Sequence, residues 1–264
     1  MPIALTRSVP PSIIECELMH LKRERIDVAR AAEQHALYEE GLTALGCTIH
    51  RLPSLPDLPD SVFVEDTAVV LPELAIIARP GAESRRLEVP SVADALRPHH
   101  PLVFIELPGT LDGGDVLCIG STIYVGQSTR TNAEGIRQLA ELTSAHGYRV
   151  RPVKVSGCLH LKSAVTRVAE DVILLNSDWV DHAFFSGLRQ IEVHPGEPFA
   201  ANALLIGETV IYSATYYETR QRLEKNGIRV HLVETDELQK AEGAMTCCSI
   251  LITTASDLSR ADTH

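Results

Sequence analysis

An internal repeat limits what this chain can fold into more than any other feature. A polar residue just ahead of a short apolar, β-branched segment recurs five times, in SVFVEDTAVV, LDGGDVLCIG, LHLKSAVTRV, AANALLIGET and AMTCCSILI. With Asp66, Asp112, His160, Asn202 and Cys247 as marks, the intervals are 46, 48, 42 and 45 residues. A unit of ~45 residues cannot bury its own sheet and must stack on its neighbours, as in a solenoid or a propeller. In the clearer units the mark leads into a strand, a tight turn at Gly120-Ser121 or Gly207-Glu208, and a second strand. Helical patterning follows, over Asn132 to Ala145 and Thr219 to Lys225, stopped by Gly147 or Gly227 before the strands YRVRPVKV and IRVHLVE. Gly46 with CTIHRL repeats that ending. Helices inside the units favour an α/β fold: one domain over residues 1–264, a five-fold pseudosymmetric α/β propeller of repeated ββαβ units. Equivalent positions of a radial repeat meet at the axis, so the marks are expected to share one site.

The rest of the composition narrows the function. A formal net charge of −11 with scattered Lys and Arg argues against a nucleic-acid partner and is compatible with a small cationic ligand. No apolar run approaches the ~18 residues of a membrane span, and the opening MPIALTRSVP lacks the core of a secretory signal. No membrane partner and a cytoplasmic location are therefore expected. The six cysteines, at 16, 47, 118, 158, 247 and 248, form none of the paired clusters of zinc sites or disulfide frameworks. They are expected as reduced thiols.

Taken singly, each mark has an ordinary structural reading. Cys247 precedes an apolar strand, where a cysteine often packs as a small hydrophobe. Strand alternation would send Cys247 and Cys248 to opposite faces, leaving one for the axis and one for the core. His160, between Leu159 and Leu161, could be a satisfied core histidine, and Asp112 and Asp115 in LDGGD could belong to a plain turn. Glu65 and Asp66 are harder to place that way, because two acids in an apolar run are costly to bury without cationic partners. Together the marks offer a thiol nucleophile, an imidazole to assist it or to protonate a leaving group, and acids to orient the imidazole. Several acids suit a cationic substrate.

The blocks PDSVFVEDTAVV, IARPGAESRR, LDGGDVL, STRTNAEG, LHLKS, AANALL and MTCCSILI, in this order from Arg7 to Ile252, make the chain resemble the dimethylarginine dimethylaminohydrolases of the guanidino-modifying pentein superfamily. The resemblance implies a pentein propeller that hydrolyses free Nω-methylated arginine to citrulline and a methylamine through a covalent cysteine intermediate. It implies Cys247 as nucleophile, His160 as general acid/base and Asp112 as the acid that holds the histidine. It also implies Asp66 as a grip on the guanidinium, with Glu65, Asp60, Leu18 and the backbone near Ala241 around the substrate. Arg85 and Arg130 match a clamp on the α-carboxylate. Two positions depart from the pattern: Asp112 stands where some members carry Glu, and Glu242 stands where Asp is expected. No cofactor and no resident metal are implied, although a soft metal could inhibit by binding Cys247 and His160. Monomer and homodimer both remain open.

Two rivals remain. Arginine deiminases share the nucleophile, histidine and acids, but they are usually longer and carry an acid two residues after the histidine, where this chain has Lys162. A binding-only protein of this fold, such as the ribosome anti-association factor, would have no need to keep Cys247, His160, Asp112 and both arginines together.

Overall fold

The computed structural model describes residues 1–252; residues 253–264, which the single-domain expectation also covers, lie outside the described residues. In chain order the strands are β1 (Ile3–Thr6), β2 (Thr48–Arg51), β3 (Ala68–Val70), β4 (Ala75–Ile77), β5 (Leu102–Phe104), β6 (Val116–Ile119), β7 (Thr122–Gln127), β8 (Arg149–Lys154), β9 (Val165–Ala169), β10 (Val172–Leu175), β11 (Arg189–Glu192), β12 (Leu204–Ile206), β13 (Thr209–Ser213), β14 (Arg229–Val233) and β15 (Ile250–Ile252). The helices are α1 (Val28–Ala44), α2 (Val89–Leu96), α3 (Ala133–Ser144), α4 (Leu161–Ala164), α5 (Tyr217–Lys225) and α6 (Asp236–Gln239).

The strands form five three-stranded mixed sheets, β15-β1-β2, β3-β4-β5, β6-β7-β8, β9-β10-β11 and β12-β13-β14. Each has the same plan: an antiparallel first pair and a parallel third strand. In the first sheet the chain's ends supply that pair, Ile3 opposite Ile252, so the last repeat and the first are one unit.

Central strands are apolar on both faces because each face meets a different neighbour. In β13, Ile211 packs toward the first sheet and its flanks Val210 and Tyr212 toward the fourth. In β4, Ile76 faces the third sheet while Ala75 and Ile77 face the first. β10 divides likewise, with Leu174 on one side and Ile173 and Leu175 on the other. The core is thus five apolar clusters, one wedged between each pair of adjacent sheets, and the five interfaces close a ring. Two-sided burial makes these strands read as unbroken apolar runs. Burying each Val, Leu or Ile contributes about 1.5–3 kcal/mol.

The helices cross from second to third strand as the repeat predicts, with one exception. Asn132 caps α3 by accepting the Gly135 N–H at 2.8 Å, and Gly147 and Gly227 turn the chain out of their helices at φ 81°. In the fourth unit the crossover holds only a short 3₁₀ turn, His182–Phe185. That crossover spans residues 176–188 and includes Gly187, a residue type unfavourable in a helix. No helix of the described residues is long and apolar enough to cross a membrane.

Candidate active site

Every polar mark falls in the turn that leads into the first strand of its unit. Asp66 lies in the 3₁₀ turn Val64–Thr67 ahead of β3, and Asp112 caps the turn Gly113–Asp115 ahead of β6. His160 precedes the single-turn α4, and Asn202 and Cys247 lie in the approaches to β12 and β15. Turns suit this role because their side chains are not committed to the packed sheet faces.

Four of the five marks build one constellation. The His160 imidazole lies between two carboxylates, with Nε2 3.0 Å from Asp112 Oδ2 and Nδ1 3.8 Å from Asp66 Oδ1. Asp112 is fully buried behind the ring, and its Oδ1 accepts the Gly81 N–H at 2.9 Å. Asp66 Oδ1 accepts the Gly114 N–H at 2.9 Å and Oδ2 pairs with Arg85. Two glycines permit this crowding. A Cβ on Gly114 would stand 2.7 Å from both Asp66 Oδ1 and His160 Nδ1, and one on Gly81 would stand 2.3 Å from the Arg130 carbonyl oxygen.

Cys247 lines a narrow cavity of about 20 Å³ together with His160, Asp66, Arg85, Arg130 and Asp60, and Phe63, Leu159, Ala241, Glu17 and Glu242 complete the wall. Cys247 and Cys248 do diverge, Cys248 being 1% exposed in the core, but strand alternation is not the cause. Both lie in the turn at 245–248, ahead of β15. That turn is braced by other parts of the chain, with three contacts made to its backbone. Asn202 Oδ1 accepts the Thr246 N–H at 2.9 Å, the Glu65 N–H donates to the Cys247 carbonyl at 3.1 Å, and Tyr38 Oη reaches the Met245 carbonyl at 2.9 Å. Asn202 is therefore the mark that serves the scaffold.

The electrostatics match the geometry. Burial works against a charged His160, but Asp66, Asp112 and Asp115 outweigh it and push its pKa up to about 9. Burial likewise opposes ionised Asp66, yet His160 and Arg85 hold it at about 2. Burial, then Glu65 and Asp66, push the Cys247 thiol well above its usual value. Burial and the nearby carboxylates thus favour a protonated thiol, while the carboxylates around His160 favour its protonated ring. Asp60 is raised to about 6 by burial, with Arg85 pulling the other way.

The remaining expected residues are placed as follows. Leu18 is half-buried, packed on the core between the first and fifth sheets, and its neighbour Glu17 faces the cavity. Glu65 stands behind the cavity, accepting from Lys162 Nζ at 2.5 Å and from the Thr246 hydroxyl at 2.6 Å. Both members of that ion pair line a second cavity of about 220 Å³, together with residues of β3, β6, β9, β12 and β15. Arg85 is 5% exposed and heavily committed, donating to Asp66, to both oxygens of Glu88 and to the carbonyls of Asp60 and Phe63. Arg130 donates from Nη2 to Glu17 Oε2 at 3.0 Å.

Glu17, Lys162 and Tyr38 were not among the expected site residues. Glu242 was flagged only as a departure. It adopts φ 57°, and its Oε1 accepts the N–H groups of Met19, His20 and Leu21 at 3.0, 2.6 and 2.7 Å. Donor atoms of Asp66, Asp112 and His160 lie within 4.8 Å of one another, close enough to hold a cation. Each is already engaged within the protein, the pattern of a proton-handling network.

The pattern of a family described as N,N dimethylarginine dimethylhydrolase, eukaryotic, matches residues 16–185. The N(G),N(G)-dimethylarginine dimethylaminohydrolase of Streptomyces coelicolor is 41% identical over 94% of this chain and 95% of its own length. A solved structure of the Pseudomonas aeruginosa enzyme, a cysteine-to-serine mutant complexed with citrulline, superposes with a TM-score of 0.90 at 34% identity, covering 94% of this chain and 98% of that one. The N-terminal domain of the cyanobacterial arginine dihydrolase ArgZ has a TM-score of 0.87 at 17% identity, covering 96% and 98%, a likeness of fold alone.

Proposed function

This chain belongs to the dimethylarginine dimethylaminohydrolase family, and from that premise we propose that it hydrolyses free Nω-methylated L-arginine to L-citrulline and a methylamine. It is a hydrolase of amidine C–N bonds. One observation carries the residue roles: Cys247, His160 and Asp66 border a single cavity with Asp112 directly behind the imidazole.

The ionisation of the empty site suggests the order of events. The thiol is held protonated by burial and by nearby carboxylates, so a bound guanidinium supplies the positive charge that favours the thiolate. Asp66 receives that guanidinium, and the Cys247 proton passes to solvent, since the imidazolium already carries its own. The Cys247 thiolate then forms a bond to the guanidinium carbon, and the C–N bond to the methylated nitrogen breaks as His160 gives that nitrogen its proton. Water attacks the resulting thiouronium carbon with His160 as base, the S–C bond breaks, and citrulline leaves with the thiolate restored. Asp112 keeps the ring oriented and favours its cationic form, which donates in the first step and is regenerated when the ring takes the water's proton.

At the other end of the substrate, Arg130 takes the α-carboxylate, with the uncommitted donor of Arg85 beside it, and Asp60 with the backbone near Leu18 and Ala241 takes the α-ammonium. A guanidino-modifying enzyme that prefers unmethylated arginine is the second reading, and the Lys162–Glu65 pair weighs against it because it fills the position where an acid would be expected. The test is citrulline formation from arginine, monomethylarginine, asymmetric dimethylarginine and a peptide containing methylarginine. Turnover confined to the free methylated amino acids is expected. Equal turnover of the peptide, or a preference for arginine, would overturn the assignment.

A further inference from the structure

The catalytic cavity, at about 20 Å³, has room for little more than a water molecule, which occupies ~10–15 Å³ on the same scale. A methylarginine cannot enter until part of the wall yields. Most of that wall is fixed. Asp60, Asp66, Arg85, Arg130, His160 and Ala241 are all buried.

Glu17 differs. Its side chain is 42% exposed, and it lies in residues 16–27, which form no helix or strand. Its Oε2 sits 3.0 Å from Arg130 Nη2, its Oε1 accepts from the Ser84 hydroxyl, and its backbone N–H donates to Asp60 Oδ2 at 3.3 Å. Among the described residues it is the carboxylate that the Arg130 guanidinium meets, whereas Arg85 is shared among Asp66, Glu88 and two carbonyls. Resting on the reading of the preceding section, we propose that Glu17 is an internal stand-in for the substrate's α-carboxylate: it neutralises Arg130 in the empty enzyme, and the incoming carboxylate displaces it.

The exchange is chemically matched. A buried guanidinium left without an anion is costly, so Arg130 passes from one carboxylate to another without an unpaired interval. The released Glu17 carboxylate is already half in water and is easily rehydrated. A ligand that carries no α-carboxylate cannot make the exchange and meets the Glu17–Arg130 pair intact. Glu17 therefore sets how much affinity the enzyme draws from the carboxylate, and it is a specificity-determining residue that touches no reacting atom.

Glu17→Gln keeps the side chain's size and removes its charge. A partly solvated ion pair of this kind amounts to roughly a two- to fivefold effect, so the variant should bind free methylarginine and citrulline about two- to fivefold more tightly, the gain falling on KM rather than kcat. The α-carboxamides of both compounds should show no gain, which a merely structural change would not distinguish. Glu17→Asp, which keeps the charge, should lie nearer the parent protein. Calorimetric titration of citrulline and citrullinamide measures the same ratio without turnover. Absence of hydrolysis in the parent would overturn the proposed function, whereas equal or weaker citrulline binding by Glu17→Gln, or an equal gain for citrullinamide, would overturn the role of Glu17.

Discussion

Replacing Asp112 with Asn tests how His160 is held cationic. Asp112 Oδ2 faces Nε2 of the ring at 3.0 Å, and Oδ1 accepts the Gly81 N–H at 2.9 Å. Asn has the same shape and keeps an oxygen for Gly81, but it turns an amide donor toward Nε2. That nitrogen must then accept, so the neutral ring is favoured. A hydrogen bond to a charged group contributes about 1.5–3 kcal/mol, and at about 1.36 kcal/mol per unit its loss lowers the pKa by about one to two units. His160 should then titrate about one to two units below its present value of about 9. The assay is kcat/KM for asymmetric dimethylarginine against pH, with the basic limb assigned to the proton His160 donates. That limb should fall near pH 9 in the parent and move down by the same one to two units, about 10- to 100-fold in proton concentration, in Asp112→Asn. Stability should follow the same proton. The imidazolium is the form the carboxylates favour, so its contribution is complete below the unfolded pKa of about 6.5 and is lost as pH rises through about 9. In the variant that alkaline loss still begins near the unfolded pKa of about 6.5 but is smaller and is complete at lower pH. A basic limb that stays near pH 9 in Asp112→Asn would refute the role given to this carboxylate.

The two arginines of the site should respond differently to truncation. Arg130→Ala should cost about 1.5–3 kcal/mol of transition-state binding for the free amino acid, roughly 10- to 150-fold in kcat/KM, with little change in denaturant midpoint. Arg85→Ala leaves Asp66 and Glu88 buried without their cation, so unfolding titration should show a loss of about 3–5 kcal/mol. Cys247→Ser should abolish citrulline formation, whereas Cys248→Ser, in the core, should keep most of it; comparable losses from both would contradict the division of the turn at 245–248.

Much of this arrangement was legible in the sequence because the repeat and the chemistry share positions. Asp66, Asp112, His160 and Cys247 each precede an apolar strand, and strands buried on both faces leave a clear apolar signal. The missing helix of the fourth unit was not legible, since the short connection over 176–188 was averaged into a pattern set by the better units. The divergence of Cys247 and Cys248 was anticipated for the wrong reason, a turn having been taken for the start of a strand. The partners that tune the site were hidden by separation along the chain: Lys162 meets Glu65 across 97 positions, and Glu17 meets Arg130 across 113. Such pairs carry no period, because only the closure of the ring brings them together. Arg85 stands beside Arg86 in the sequence, and only the tertiary fold buries it against Asp66 and Glu88.

The covalent step is the centre of the account, and acid-quenched turnover followed by peptide mass mapping tests it most directly. With monomethylarginine and with asymmetric dimethylarginine, the same added mass is predicted on Cys247, because the methylated nitrogen has already left, and Cys248 should remain unmodified. An adduct on another residue, an added mass that still carries the methyl groups, or steady citrulline release from a Cys247→Ser protein would contradict it.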